Sequence, residues 1–114
     1  MIITRNEMKT DQMEHMRGGE GTVAIRQLVD GSTQKNARLF SEMTLNPGCS
    51  IGYHQHNAET EYYFILAGAG TVNDNGTERQ INQGDVMVIG NGESHSIKNT
   101  GNIPLVLHAV IVTY

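Results

Sequence analysis

Hydrophobic and polar residues alternate along much of this chain with a period of two, which is the pattern of half-buried β-strands. Ala37–Leu45 is a clear case, because Leu39, Met43 and Leu45 share one face while polar residues such as Glu42 lie between them. Similar segments predict further strands around Val23, around His54, on both sides of Asn75-Gly76, and at 61–67, 86–89, 94–98 and 104–113. About ten short strands with closely spaced turns predict an all-β sandwich or barrel.

Turns containing glycine separate the predicted strands. Asn46-Pro47-Gly48 predicts a tight turn, in which proline sets one φ angle and glycine is free to adopt a positive one. Asn75-Gly76 is the strongest short signal for a β-hairpin. The 13 glycines, against only two prolines, favour short strands joined by many turns over long helices.

The first 21 residues are the least regular part of the sequence. Met8, Met13 and Met16 predict a short helix over residues 6–16, which the glycine-rich stretch 17–21 would end. Glycine-rich loops can bind phosphate, but here no strand is predicted before the loop and no helix after it. We therefore interpret residues 17–21 as an ordinary turn, and strand signals between Val23 and Asp30-Gly31 follow it.

Composition excludes several classes of function. The 114 residues fit a single domain, 1–114, and the formal charge of −4 comes without a basic cluster, so no nucleic acid is expected as a partner. The longest apolar stretch, 103–112, is too short to span a membrane. The single cysteine, Cys49, cannot form an intrachain disulfide, and residues 1–5 lack the features of a signal peptide. These observations predict a cytoplasmic protein.

The candidate chemistry lies in residues 48–68. His54 and His56 are two positions apart, so on a strand their side chains leave the same face. Glu61 begins the next predicted strand. Two imidazoles and a carboxylate from neighbouring strands can converge on one borderline metal ion.

A second stretch, 84–99, contains His95, and together the two stretches resemble the paired motifs of the cupin superfamily. The first motif is satisfied at each position, by Gly48, His54, His56, Glu61 and Gly68. The second is matched by Gly84, Gly92, His95 and Asn99, whereas Gly90 stands where the family usually has proline. The departure makes the turn before His95 less rigid and leaves His95 itself in place.

The resemblance implies a double-stranded β-helix, or jelly-roll barrel, with a short irregular or helical N-terminal segment. It implies that His54, His56, Glu61 and His95 bind one divalent transition metal ion in the mouth of the barrel. Mn, Fe, Ni, Cu and Zn all suit this set of ligands. Because imidazoles bind metals in their neutral form, metal affinity is expected to fall below the ordinary histidine pKa of about 6.5.

The resemblance leaves two classes of function, of which we favour the first and keep the second as the alternative. One is a metal-dependent enzyme of the isomerase, decarboxylase or dioxygenase type, acting on a small organic molecule; the other is a module that binds or senses a small ligand without turnover. A decarboxylase would need a second acid, for which Glu59 and Glu93 are candidates, although both are predicted in solvated turns. The sequence contains no phosphate-binding cluster of the kind expected for a mannose-6-phosphate-isomerase-like protein. A purely structural barrel would leave the four ligand-type residues unexplained.

The remaining candidates have ordinary structural explanations. Tyr63, Ile65 and Ile97 share the parity of the predicted ligands and could line the cavity or form the core. His108 is predicted to be a core or interface residue, His15 a surface residue and Cys49 a small buried residue. The opposite face of the strand carries Tyr62, Phe64 and Leu66, which the N-terminal segment or a second subunit must cover. We expect a homodimer, as is common among small cupins.

Overall fold

Ten β-strands make up most of the molecule in the computed structural model, which describes residues 1–30 and 35–114. Two short 3-10 turns, Arg5–Glu7 and Met16–Gly18, flank the first strand. The strands are β1 (Thr10–Glu14), β2 (Thr22–Gln27), β3 (Ala37–Leu45), β4 (Ser50–Gln55), β5 (Glu59–Ala67), β6 (Ala69–Asp74), β7 (Thr77–Asn82), β8 (Val86–Ile89), β9 (Ser94–Lys98) and β10 (Leu105–Thr113).

The strands form two antiparallel sheets that face each other. The larger sheet has the order β1-β2-β3-β10-β5-β8 and the smaller has the order β4-β9-β6-β7. Alternate residues of both sheets point inward and form one hydrophobic core, which includes Met43, Ile65 and Leu107 from the larger sheet and Ile51 and Ile97 from the smaller. This arrangement is the all-β jelly-roll that the sequence predicts, and it places the inner faces of two different sheets opposite one another.

Local sequence accounts for the turns. Asn75 and Gly76 have φ angles of 49° and 102°, and they join β6 to β7 as the hairpin signal predicts. Gly68 lies between β5 and β6 with φ of 81°, and a side chain there would also meet the backbone oxygen of Pro104 at 2.6 Å. The predicted continuation of β2 towards Asp30-Gly31 ends earlier, at Gln27. The polar residues 31–34 that follow lie outside the described residues.

The prediction of an N-terminal helix was wrong. Residues 5–7 form only one 3-10 turn, and Thr10–Glu14 is a strand whose residues are all exposed. This strand pairs antiparallel with β2, with Met13 opposite Val23. The free backbone groups at the edge of β2 offer hydrogen bonds that outweigh the weak helical spacing of the methionines, a common case of tertiary context overriding local pattern.

The outer face of the larger sheet remains exposed at one edge of the monomer. Tyr62 and Phe64 on β5 are 41% and 44% exposed, and Val86 and Val88 on β8 are 57% and 51% exposed. The N-terminal strand does not cover them, because β1 lies at the opposite edge of the same sheet. Within the described residues no helix has the length and apolar character needed to cross a membrane.

Candidate metal centre

Both sheets contribute to the site. His54 lies on β4, His56 follows the last residue of that strand, and His95 lies on β9 directly opposite His54 in the strand pairing. Glu61 comes from the inner face of β5 in the other sheet. The register shift in β4 between Ile51 and His54 is an irregularity of the kind that redirects side chains beside functional sites.

The four side chains bring their donor atoms together. Nε2 of His56 lies 3.1 Å from Nε2 of His54 and 3.1 Å from Nε2 of His95. Oε1 of Glu61 lies 3.2 Å from the His56 nitrogen and 2.9 Å from the His95 nitrogen. All four donor atoms fall within 4.8 Å of one another, an arrangement that could hold a metal ion.

Hydrogen bonds made by Nδ1 of His54 and of His56 determine that the Nε2 lone pair of each ring faces the other donor atoms. Nδ1 of His54 donates to the carbonyl oxygen of Gly52 at 2.7 Å, and Nδ1 of His56 donates to Oε2 of Glu59 at 2.5 Å. In their neutral forms both rings therefore point an Nε2 lone pair at the other, which is unfavourable unless a cation lies between them. Oε1 of Glu61 is also buried without a hydrogen bond of good geometry. The donor set thus fits a divalent ion.

Packing holds the remaining ligand candidates in place. His95 is 1% exposed and Glu61 is 3% exposed. The ring of Tyr63 stacks on His95 with 5.0 Å between centroids, so the imidazole cannot rotate freely. Of the three residues that could line the cavity or form the core, Tyr63 does both. Ile65 and Ile97 belong to the core.

Burial and close contacts shift the pKa values of these groups. Burial alone would raise the pKa of Glu61, but its contacts with His56 and His95 outweigh burial and lower that pKa to about 2. The contact with Glu61, helped by Glu59, raises the pKa of His56 above its ordinary value. Burial lowers the pKa of His54. Without metal, the site therefore keeps Glu61 ionised and favours a proton on His56.

Glu59 is not in a solvated turn as predicted. It is the first residue of β5 and is 8% exposed. Arg38 on β3 reaches Glu59 across the intervening strand β10 with two hydrogen bonds of 2.7 Å each. These bonds, together with the bond from His56, lower the pKa of Glu59 to about 2. The sequence does not reveal the contact with Arg38, because Arg38 is 21 positions away along the chain.

The second predicted acid, Glu93, is also already hydrogen-bonded. Its Oε1 accepts a hydrogen bond of 2.7 Å from the backbone N–H of Gly90. Proline, which the family usually has at this position, could not donate that bond. This hydrogen bond helps to hold the turn before His95, and any residue other than proline could donate it. The motif residue Asn99 is 1% exposed and donates to the carbonyl oxygens of Leu45 and Ile103, so it fastens loops to the core.

A cavity of about 110 Å³ opens beside three of the four side chains. Its wall includes His54, His56 and Glu61, and apolar residues such as Leu39, Met43 and Ile111. Polar groups also line it: Arg17, Gln27 and Arg38. The volume lies below the range of about 300–1,000 Å³ that is usual for drug-sized ligands, so the cavity suits a molecule of only a few non-hydrogen atoms.

The other three candidates lie away from this cavity. His108 is on the outer face of β10, and its Nε2 lies 3.6 Å from Oε2 of Glu42. His15 is exposed, as predicted, and its Nδ1 lies 3.1 Å from the carbonyl oxygen of Gly19. Cys49 is half-buried and packs against the core. None of the three belongs to the cluster of donor atoms around Glu61.

Two proteins from Thermotoga maritima resemble this chain over nearly its whole length. An oxalate-binding protein of Thermotoga maritima is 44% identical over 113 residues, which is 98% of this chain and 93% of the relative. A solved structure of a predicted oxalate decarboxylase from Thermotoga maritima superposes with a TM-score of 0.93 at 43% identity, and the match covers 100% of both chains.

Likeness in fold extends to more distant proteins. A putative sugar phosphate isomerase from Acidithiobacillus ferrooxidans superposes with a TM-score of 0.82 at 23% identity, over 99% of this chain and 75% of that one. At that identity the match describes the fold alone. The cupin domain family matches residues 41–112, which include both histidine motifs. The chain therefore belongs to the cupin domain family.

Proposed function

We propose that this protein binds one divalent transition metal ion through His54, His56, Glu61 and His95 and holds oxalate, or a similarly small carboxylate, at that ion. The observation that carries the proposal is the convergence of three imidazole nitrogens and one carboxylate oxygen within 4.8 Å beside a cavity of about 110 Å³. When bound, the metal would supply a Lewis acid that attracts carboxylate oxygens. The relative that is 44% identical over nearly its full length is an oxalate-binding protein, which supports the choice of ligand.

The chemistry of the donors limits the choice of metal. Three imidazoles and one carboxylate suit Mn, Fe, Ni, Cu or Zn better than Ca or Mg, which prefer oxygen ligands throughout. The protein's own residues prepare the site before a metal arrives. Glu59 and the Gly52 carbonyl fix the tautomers of His56 and His54, and Tyr63 orients the His95 ring.

An enzyme of the decarboxylase type is the second candidate. The solved structure with a TM-score of 0.93 is that of a predicted oxalate decarboxylase, which favours this alternative. A proton donor beside the ligand would be needed, and the two carboxylates considered for that role are engaged, Glu59 by Arg38 and Glu93 by the Gly90 N–H. We therefore rank binding without turnover above decarboxylation.

Two measurements on one preparation test the proposal. Elemental analysis should find about one transition metal ion per chain in the wild type and almost none in a His54→Ala/His56→Ala variant. Calorimetric titration with oxalate should show binding to the metal-loaded wild type and none after the metal is removed. Equal metal content in both proteins would contradict the site, and metal-independent oxalate binding would contradict the ligand's position. Release of formate and carbon dioxide from oxalate would favour the enzyme.

We also propose that two copies of the chain associate through the outer face of the larger sheet. Tyr62 pairs with Val88 and Phe64 with Val86 across β5 and β8, so the four side chains form one exposed apolar patch. Contiguous apolar patches on a protein surface often mark sites of protein–protein association. Sedimentation velocity should give the mass of a dimer for the wild type and of a monomer for Val88→Glu. A monomeric wild type at micromolar concentration would refute the dimer.

A further inference from the structure

Two arginines line the cavity beside the candidate metal centre, and they differ in whether their side chains are already paired with another residue. Arg38 is fully engaged, because its guanidinium group forms a two-pronged ion pair with Glu59. Arg17 makes no side-chain hydrogen bond and no ion pair within residues 1–30 and 35–114. The Gln27 carboxamide, from β2, lines the same cavity and likewise has no hydrogen-bond partner among those residues. The N–H groups of the Arg17 guanidinium and of the Gln27 carboxamide are therefore available to donate hydrogen bonds to a ligand in the cavity.

The charge of Arg17 reaches the metal site. Burial is the main reason why the pKa of His54 is lowered, and the positive charge of Arg17 contributes to that lowering. Burial raises the pKa of Tyr63, and Arg17 opposes that rise. The three residues line the same cavity, which accounts for these electrostatic contributions.

The backbone around Arg17 is firmly placed. Arg17 itself has φ of 54° and His15 has φ of 50°. Residues other than glycine seldom adopt this left-handed backbone conformation. The carbonyl of Arg17 packs directly on β4, where a Cβ atom added to Gly52 would lie 2.0 Å from its oxygen. Gly19 makes an equally close approach to the backbone of Ser50. Strained conformations of this kind persist where the surroundings over-determine them, often at ligand sites.

We propose that Arg17, assisted by Gln27, binds the carboxylate oxygens of the ligand that point away from the metal, so that the site selects small dicarboxylates over monocarboxylates. This inference rests on the proposed function. A guanidinium group matches the two oxygens of a carboxylate with parallel hydrogen bonds, and such charge-assisted bonds are about twice as strong as neutral ones. The metal would hold one side of the dianion and Arg17 the other.

The test compares oxalate with glycolate, which can also chelate a metal but has only one carboxylate. Both are titrated by calorimetry into manganese-loaded wild type, Arg17→Met, Arg17→Lys and the control Arg79→Met. Arg79 lines a different cavity, so Arg79→Met loses the same charge away from the site. Metal content and thermal unfolding are measured for every variant, so that loss of the fold or of the metal is recognised separately.

We expect Arg17→Met to weaken oxalate binding about 10- to 100-fold, the usual cost of losing hydrogen bonds to a charged group. Glycolate binding should change less than about threefold, Arg17→Lys should be intermediate, and Arg79→Met should resemble the wild type. Equal oxalate affinity in Arg17→Met and wild type would overturn the role of Arg17 while leaving the proposed function intact. Absence of oxalate binding by the metal-loaded wild type would overturn both.

Discussion

At the scale of single residues, His56 is held at both of its nitrogens. Its Nε2 faces the other donor atoms, while its Nδ1 donates to Glu59, which is itself held by Arg38. This chain of contacts fixes the tautomer that leaves the Nε2 lone pair available. Partners behind a ligating histidine raise its basicity and orient its ring, so Glu59 acts as a positioning residue for the proposed metal site.

Replacing Glu59 with glutamine should weaken metal binding about 10- to 100-fold, the usual effect of losing a partner behind a ligating histidine. The amide would keep an acceptor for His56 but lose the charge and the two-pronged pair with Arg38. Competition with a chelating dye would measure the affinity. Glu78→Gln, on the exposed strand β7, is the matched control because it removes the same charge away from the site. An affinity for Glu59→Gln within threefold of the wild type would contradict the positioning role.

At the scale of elements, the backbone of strand β4 is in direct contact with the backbone of the segment that joins β1 to β2. Gly19 and Gly52 make this possible, because neither has a side chain to separate the two segments. β4 carries His54, and the segment carries Arg17, so the contact brings both residues to the wall of the same cavity. The glycine-rich stretch that we interpreted as an ordinary turn thus also packs on β4 and contributes Arg17 to the cavity wall.

A single methyl group should disturb this contact. We expect Gly52→Ala to lower the free energy of unfolding by about 1–3 kcal/mol, since the added carbon would overlap the Arg17 carbonyl and force the backbone to shift. Chemical denaturation of the metal-free protein would measure the change. Gly101→Ala is the control, because a Cβ atom there would meet its nearest neighbour at an ordinary 3.5 Å. Equal losses in both variants would contradict this account of the contact.

At the scale of the whole molecule, the site connects the two sheets. His54 and His95 lie on neighbouring strands of the four-stranded sheet, whereas Glu61 lies in the six-stranded sheet. A metal ion bound by all three would link the two layers of the sandwich. Because the unfolded chain does not hold these ligands together, metal binding should stabilise the folded state as a whole.

Metal should therefore raise the free energy of unfolding by about 2.7 kcal/mol when its free concentration is 100 times the dissociation constant. Thermal unfolding with and without a chelator would measure this increment, and His54→Ala should show almost none. The increment should be largest at alkaline pH and shrink as pH falls, because Glu61 raises the pKa of His56 and a proton there excludes the metal. An equal increment at pH 8 and at pH 5.5 would contradict the assignment of His56 as a ligand.

The sequence alone was sufficient for features that depend on local pattern and fixed spacing. Alternation of apolar residues predicted most of the strands, Asn75-Gly76 predicted a hairpin, and the spacing of the two motifs indicated the cupin fold. It also singled out the four residues whose donor atoms meet. Periodicity succeeds here because a strand's inward face is determined by its own residues.

Contacts between distant segments were decided only by the tertiary structure. The N-terminal residues form a strand because the edge of β2 is available, and Glu59 is buried because Arg38 reaches it from β3 across β10. Arg17 meets the cavity because two glycines let its segment touch β4. Each of these contacts depends on which strands become neighbours. The free energy of strand pairing depends on the residues of both strands together. No pattern within one segment contains that information.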